Sequence, residues 1–275
     1  MEILQYDFMQ RALLAAVLVG ITAPSVGVFL VQRRLALMGD GMGHVALTGV
    51  ALGLLLGRAP VLVALMTAAV GAVFVELVRV KGRTTSDLAL AIMFYGGIAG
   101  GVVLIAKAPG GSAATLNQYL FGAITTTSAA DLVTFAALSI AILTVTIGLS
   151  RQLFAVSNDE EYARASGLPV LPLNLLLAVM TATTVVVAMR VVGLLLISAL
   201  MVVPVATAQL VAGSFRSTMM LALAIGSGCA VIGVVVSYYA NTPSGGSIVL
   251  VAIALFAATA VGTALARSVR RRAAV

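Results

Sequence analysis

Charge is scarce in this sequence, and so are the side chains from which catalytic and metal centres are usually built. Only 9% of the 275 residues are Asp, Glu, Lys or Arg, against 61% hydrophobic, and the mean hydropathy is +1.17. A water-soluble domain carries about 25% charged residues, so the composition excludes that class and leaves a polytopic membrane protein. The single cysteine, Cys229 in an apolar run, rules out an internal disulfide and any cysteine-rich metal site. It reads as a small buried hydrophobe. The single histidine, His44, cannot supply the His-Glu-x-x-His of a zinc protease, and no seryl or cysteinyl protease arrangement is present. No Gly-x4-Gly-Lys-Ser/Thr run occurs either, so this chain does not hydrolyse ATP through a P-loop of its own. An enzyme is not expected. Residues 1–10 carry Glu2 and Asp7 where a secretory signal would be basic, and the first span is therefore expected to be retained.

What is abundant is apolar sequence in runs of about 20 residues, the length that crosses a bilayer as helix. Nine such runs are expected, roughly 11–31, 36–57, 60–79, 87–107, 131–150, 171–189, 192–212, 217–239 and 247–266, in one all-α transmembrane domain over 1–275. With an outside N-terminus, twelve of the 16 basic residues fall on cytoplasmic segments: Arg33, Arg34, Arg79, Lys81, Arg83, Arg151, Arg164, Arg216, Arg267, Arg270, Arg271 and Arg272. Only Arg11, Arg58, Lys107 and Arg190 fall outside. That asymmetry predicts an N-out, C-in orientation. The basic tail, 267–275, then reads as a topology anchor against anionic lipid rather than a nucleic-acid contact.

Turn residues punctuate the runs, as in Gly57-Arg58-Ala59-Pro60 and in Asn241-Thr242-Pro243-Ser244-Gly245-Gly246. Residues 108–130, opening Ala108-Pro109-Gly110-Gly111, form the longest outer connection. Its Tyr119-Leu120-Phe121-Gly122 is apolar but too short to cross, and is open to two readings, a re-entrant turn or a packed loop. Pro204 is expected to kink the seventh span. Asp87 and Asp131 open their spans as ordinary helix-dipole partners.

Two features need a reason. Asp40 and His44 lie in Gly39-Asp40-Gly41-Met42-Gly43-His44, inside the second span. From Ala36 that span measures about 33 Å of helix, which puts both residues at membrane depth towards the cytoplasmic half. A carboxylate there costs roughly 2.5–3.5 kcal/mol. Four residues apart, the two share a helical face and together suit a divalent transition metal. They supply two ligands, fewer than the four of a closed zinc site. Either other spans, a second copy or water complete the shell, or the two form a polar pair with no metal role. Gly39, Gly41 and Gly43 are expected to weaken the helix here, which is tolerated where backbone is buried or lines a wet cavity. Glu76, also at membrane depth, is expected to pair with Arg79 at i,i+3.

The other feature is the cytoplasmic run Ser157-Asn158-Asp159-Glu160-Glu161-Tyr162-Ala163-Arg164-Ala165-Ser166-Gly167-Leu168-Pro169. Asn158 and Glu161 have the spacing of a capping box. Asp159 and Glu160 complement the dipole, and Gly167 with Pro169 supplies the stop. The sequence encodes a short delimited helix, read either as a docking element for a cytoplasmic partner or as a solvated loop.

Taken in order, four stretches resemble the membrane (permease) subunits of zinc, manganese and iron ABC importers. Residues 33–53 look like the family's second-helix signature, a Gly-Asp, a His four residues on, and the tail Gly49-Val50-Ala51-Leu52-Gly53. Residues 159–167 are similar to its cytoplasmic coupling segment. Residues 192–208 resemble its seventh-span block, and Pro243-Ser244-Gly245-Gly246 its last outer turn. Gly41-Met42-Gly43 departs from the family's more usual Ala-Leu-Ser. The resemblance implies a type II ABC importer-like permease in a prokaryotic cell membrane, working as a homodimer that imports Zn2+ or Mn2+, with Fe2+ a third candidate. It implies Asp40 and His44 on the ion path. It also implies cytoplasmic ATPase subunits that bind ATP and dock at about 157–168 through Asn158, Asp159, Glu160, Glu161, Tyr162, Ala163 and Gly167. An extracytoplasmic metal-binding protein would deliver the ion. The alternative is a secondary transporter driven by an ion gradient, without an ATPase.

Overall fold

The computed structural model describes residues 6–80, 86–109, 113–122, 129–190 and 192–273. Lys81, Arg83, Gly110, Gly111 and much of the 108–130 connection lie outside the described residues, as do the side chains of Asp87, Asp131, Arg270, Arg271 and Arg272. Among the described residues all regular structure is α-helical. Nine helices correspond to the nine expected runs: α1 (Asp7–Gln32), α2 (Met38–Leu55), α3 (Pro60–Val80), α4 (Ser86–Lys107), α6 (Ala129–Gly148), α9 (Val170–Ala188), α10 (Leu194–Gln209), α11 (Phe215–Ala240) and α12 (Ser244–Ala273). Three more are short: α5 (Ala113–Phe121), α7 (Ser150–Asn158) and α8 (Glu160–Ala165).

Seven helices, α1 to α4, α9, α11 and α12, are individually long and apolar enough to cross a membrane. The other two depart from expectation. Helix α6 passes that test only together with α7, across a 70° bend, so the chain turns sharply before the segment 157–169. Helix α10 has 16 residues, about 24 Å, not the 21 expected. It starts late because Gly193 sits at φ 90°, outside the helical region. A side chain there would collide with the backbone of residues 120–122, so the end of α5 packs directly on the start of α10. The 108–130 connection thus contains a packed helix of nine residues, too short to cross. Pro204 lies inside α10.

Helix α1 is buried along most of its length, packed by α9, α10 and α11, while α2 sits among α3, α4, α9 and α10. Large apolar side chains such as Met66, Phe74, Ile92, Ile140, Leu250 and Leu265 are exposed instead. In water so much exposed apolar surface is an association hazard; in a bilayer it is the ordinary lipid-facing or subunit-facing side. At one end of the bundle, Gln32 at the close of α1 donates to Asn158 of α7 (2.8 Å). There too, Phe215 at the start of α11 stacks on Phe29 and Phe154, with centroids 5.5 and 4.5 Å apart. The short helix α7 is therefore fixed to the C-terminal end of α1 and the N-terminal end of α11, and α8 follows directly from it.

Candidate functional site

Helix α2 runs unbroken from Met38, contrary to the expectation that its glycines weaken it. Those glycines are contact points. Gly39 lies against Ser198 and Met201 of α10, Gly41 against Leu90 of α4, and Gly43 against the Leu194 carbonyl and Val185. Tertiary packing, which supplies most helix stability in proteins, outweighs glycine's weak propensity. From the other side, Gly97 of α4 abuts the His44 backbone, and the Thr48 hydroxyl donates to the Gly97 carbonyl at 2.8 Å. Asp40 is in the first turn of α2, where a carboxylate meets the positive end of the helix dipole. His44 follows one turn later on the same face.

Asp40 is half-buried and opens onto a cleft of about 320 Å³, walled mainly by Leu90, Ala91, Phe94 and Tyr95 of α4. His44 is 5% exposed. Its ring meets Phe94 edge to face (centroids 4.3 Å, 76°). The Nδ1 atom of His44 is buried without a hydrogen-bond partner, and the Ser198 hydroxyl is set against the Asp40 carboxylate. Buried polar atoms are nearly always satisfied, and a ring nitrogen left open is the atom an imidazole offers to a metal. Among the described residues, no third His, Cys, Asp or Glu joins the pair to form a metal-holding group. One copy of the chain therefore provides Asp40, His44 and a nearby hydroxyl.

In the segment 157–169 the expected helix is present but begins one residue later. Asp159, not Asn158, is the N-cap: its backbone is extended and its side chain accepts from the Tyr162 N–H at 2.9 Å. Asn158 instead closes α7 and accepts from Gln32, so the Asn158–Glu161 box does not form. Both Asn and Asp cap well, and the bond to α1 selects between them. The stop falls at Gly167 (φ 80°). Gly167 N–H donates to the Arg164 carbonyl (3.1 Å) and Leu168 N–H to that of Ala163 (3.0 Å), the two bonds of a Schellman motif. Glu161, Tyr162 and Gly167 face outward, Ala163 is buried, and Glu160 turns in towards the bundle.

Glu160 enters a charge cluster that sequence spacing only half disclosed. The expected Glu76–Arg79 pair is there as a fork, with Arg79 donating from Nε at 3.1 Å and from Nη2 at 2.7 Å. Unforeseen were the long-range members. Glu160 accepts from Arg33 Nη2 at 3.0 Å, from Arg79 Nη2 at 2.5 Å, and from Asn174 of α9. Arg33 also lies 3.8 Å from Glu76. Two cations and two anions thus join α1, α3 and α8, with Asn174 tying in α9. Burial alone would raise the Glu160 carboxyl; the Arg79 and Asn174 hydrogen bonds and the Arg79 and Arg33 charges together hold it below its ordinary value. The one sequence signal was Asn174, a fully buried amide in the otherwise apolar Leu171-Pro172-Leu173-Asn174-Leu175-Leu176.

An all-helical bundle of apolar spans, with a carboxylate and an open imidazole on a packed inner helix and a short helix latched to one end, defines a membrane transport subunit. The chain belongs to the ABC 3 transport family, whose model matches residues 5–262. It is 34% identical over 256 residues to the manganese transport system membrane protein MntC of Halalkalibacterium halodurans, covering 93% of this chain and 87% of that one. The manganese import system permease protein ScaB of Streptococcus gordonii is 33% identical over 251 residues, covering 91% and 90%. Among solved structures, PsaBC from Streptococcus pneumoniae in complex with Fab superposes with TM-score 0.85 at 34% identity, covering 94% of this chain and 92% of that one.

Proposed function

We propose that the chain is the permease subunit of an ABC importer that carries a divalent transition metal into the cytoplasm, manganese first, with zinc and then ferrous iron as further cargo. The observation that carries this reading is the buried His44 with its open Nδ1, one turn from Asp40 on α2, in a chain whose relatives include a manganese import permease. Imidazole nitrogen and carboxylate oxygen suit a borderline-to-hard divalent ion. Two ligands per copy hold it weakly, and an ion in transit must leave as well as enter.

The nine helices at the expected runs cross the membrane in alternation, N-out and C-in, with α6 continued by α7 and α10 as a short crossing. Support comes from the basic residues and from the end of the bundle that gathers Arg33, Arg79, α8 and the start of α11. Two copies place two Asp40–His44 pairs along one path and double the ligand set. A separate ATPase subunit, which binds and hydrolyses ATP, docks on the outward side of α8 through Glu161, Tyr162 and the Gly167 turn, with Asn158 and Asp159 at its start and Ala163 anchoring it from beneath. Glu160 couples that helix to α1, α3 and α9. An extracytoplasmic binding protein delivers the ion at the opposite end, near α5 and the start of α12. Domain 1–275 forms one unit, and its basic C-terminal tail rests on anionic lipid.

The test is initial uptake of radioactive manganese and zinc by importer-depleted cells expressing the permease with its ATPase and binding protein. Native chain should restore uptake, whereas Asp40→Asn and His44→Ala should abolish it at equal membrane abundance. Uptake retained by both variants would overturn the assignment of the ion path.

A further inference from the structure

Ser198 is the sole polar residue in the run Leu194-Leu195-Leu196-Ile197-Ser198-Ala199-Leu200 of α10, and it is 7% exposed. Buried helical threonines elsewhere in this protein satisfy themselves by donating to the carbonyl four residues back. Thr146, Thr181, Thr184 and Thr207 all do so at 2.8 Å. Ser198 makes no such bond to the Leu194 carbonyl; its hydroxyl is set against the Asp40 carboxylate instead. Ser139 and Ser157 have no hydrogen-bond partner, whereas Ser198 is set beside the Asp40 carboxylate. Its position depends on Gly39, because a Cβ there would collide with the Ser198 hydroxyl. Gly43 likewise admits Leu194 close to α2. Helix α10 therefore runs alongside α2 in the opposite sense, Leu194 level with Gly43 and Ser198 level with Gly39, and delivers one hydroxyl at the height of Asp40.

We infer that Ser198 supplies a third, oxygen ligand to the ion held by Asp40 and His44, and that it tilts the path towards manganese and away from zinc. The inference rests on the Asp40–His44 reading above. A neutral hydroxyl and a carboxylate are hard donors, suited to an ion that accepts oxygen ligands and a larger shell. Zinc favours four-coordinate sites rich in nitrogen and sulfur. With Ser198 the set from one copy is two oxygens and one nitrogen; without it, one of each. His44 Nδ1, which has no hydrogen-bond partner, is then accounted for by an occupant shared with Asp40 and the Ser198 hydroxyl.

The experiment measures initial uptake of radioactive manganese and zinc, each supplied alone, by cells expressing the complete transporter with native permease, Ser198→Ala or Ser198→Cys. Membrane abundance is matched by immunoblot, and Asp40→Asn serves as the blank. The expected result is a manganese-to-zinc uptake ratio lower by about tenfold in Ser198→Ala, the scale on which loss of a supporting metal contact acts. In Ser198→Cys, where a soft ligand replaces a hard one, the ratio should shift further towards zinc. A ratio unchanged in both variants, while Asp40→Asn is inactive, overturns the role of Ser198 and leaves the ion path standing. Activity retained by Asp40→Asn overturns the ion path itself, and the Ser198 role with it.

Discussion

Neutralising Glu76 should be the most damaging single charge change in the chain. Its side chain is 2% exposed, and it faces Arg79 through two hydrogen bonds and Arg33 at 3.8 Å. Glu76→Gln keeps the shape and one acceptor but leaves two guanidinium groups, 6% and 22% exposed, with Glu160 as the one anion left in the cluster. Removing one partner of a buried pair costs about 3–5 kcal/mol. Glu160 offsets part of that, so the lower end, about 3 kcal/mol, is expected, on the order of a hundredfold in the folding equilibrium. Glu160→Gln should cost less, about 1–2 kcal/mol, because its side chain is 32% exposed and solvent screens the pair. Glu161→Gln, outward on the same helix, should stay within about 0.5 kcal/mol of native. Unfolding of the purified chain in mixed micelles, titrated with dodecyl sulfate and followed by far-ultraviolet circular dichroism, reads all three. A Glu76→Gln midpoint coincident with native, or Glu161→Gln as harmful as Glu160→Gln, would refute the account of the cluster as the clamp on α8.

Glu160 also predicts a pH dependence. Its folded pKa lies below the ordinary carboxylate value of 4.5, so folding releases its proton; its contribution is complete above about 4.5 and is lost as pH falls through the depressed folded value. Stability measured from pH 8 to 5 should show no loss attributable to this group, and Glu160→Gln should remove part of the fall seen below pH 4.5; an unchanged acid limb in the variant would count against it. Gly97→Ala is a separate test of how α2 is held. The new methyl meets the His44 and Val45 backbone, so α4 must retreat, at about 1–3 kcal/mol of overpacking, and the Thr48–Gly97 bond is lost. Metal uptake should fall with stability, whereas Gly96→Ala, which meets open space, should be close to native.

The helical spans were legible because a bilayer demands long apolar runs, and each run left its mark regardless of what it packs against. Ends were less legible. Helix α10 is short because Gly193 adopts a positive φ where α5 arrives, and no periodicity within 192–212 records that encounter. Asp159 displaced Asn158 as cap because a residue 126 positions away bonds Asn158. Asp40 and His44 stood out as ionisable groups in apolar sequence. Ser198 did not, since a helical serine usually satisfies itself on its own backbone, and only the approach of Gly39 reveals that this one faces a carboxylate. The Arg33–Glu160 and Arg79–Glu160 contacts join residues 127 and 81 positions apart, beyond any local pattern; the Glu76–Arg79 pair, three apart, was readable at once.

The central claim, that Asp40 and His44 carry the ion, is tested most directly by ATP-driven manganese import into proteoliposomes. These hold the purified permease with its ATPase and binding protein, and native chain is compared with His44→Ala. Manganese should accumulate only with ATP and the native chain, and accumulation should disappear in His44→Ala although the variant assembles with the ATPase in equal amount. Equal accumulation by His44→Ala would contradict it and return the buried imidazole to a purely structural role.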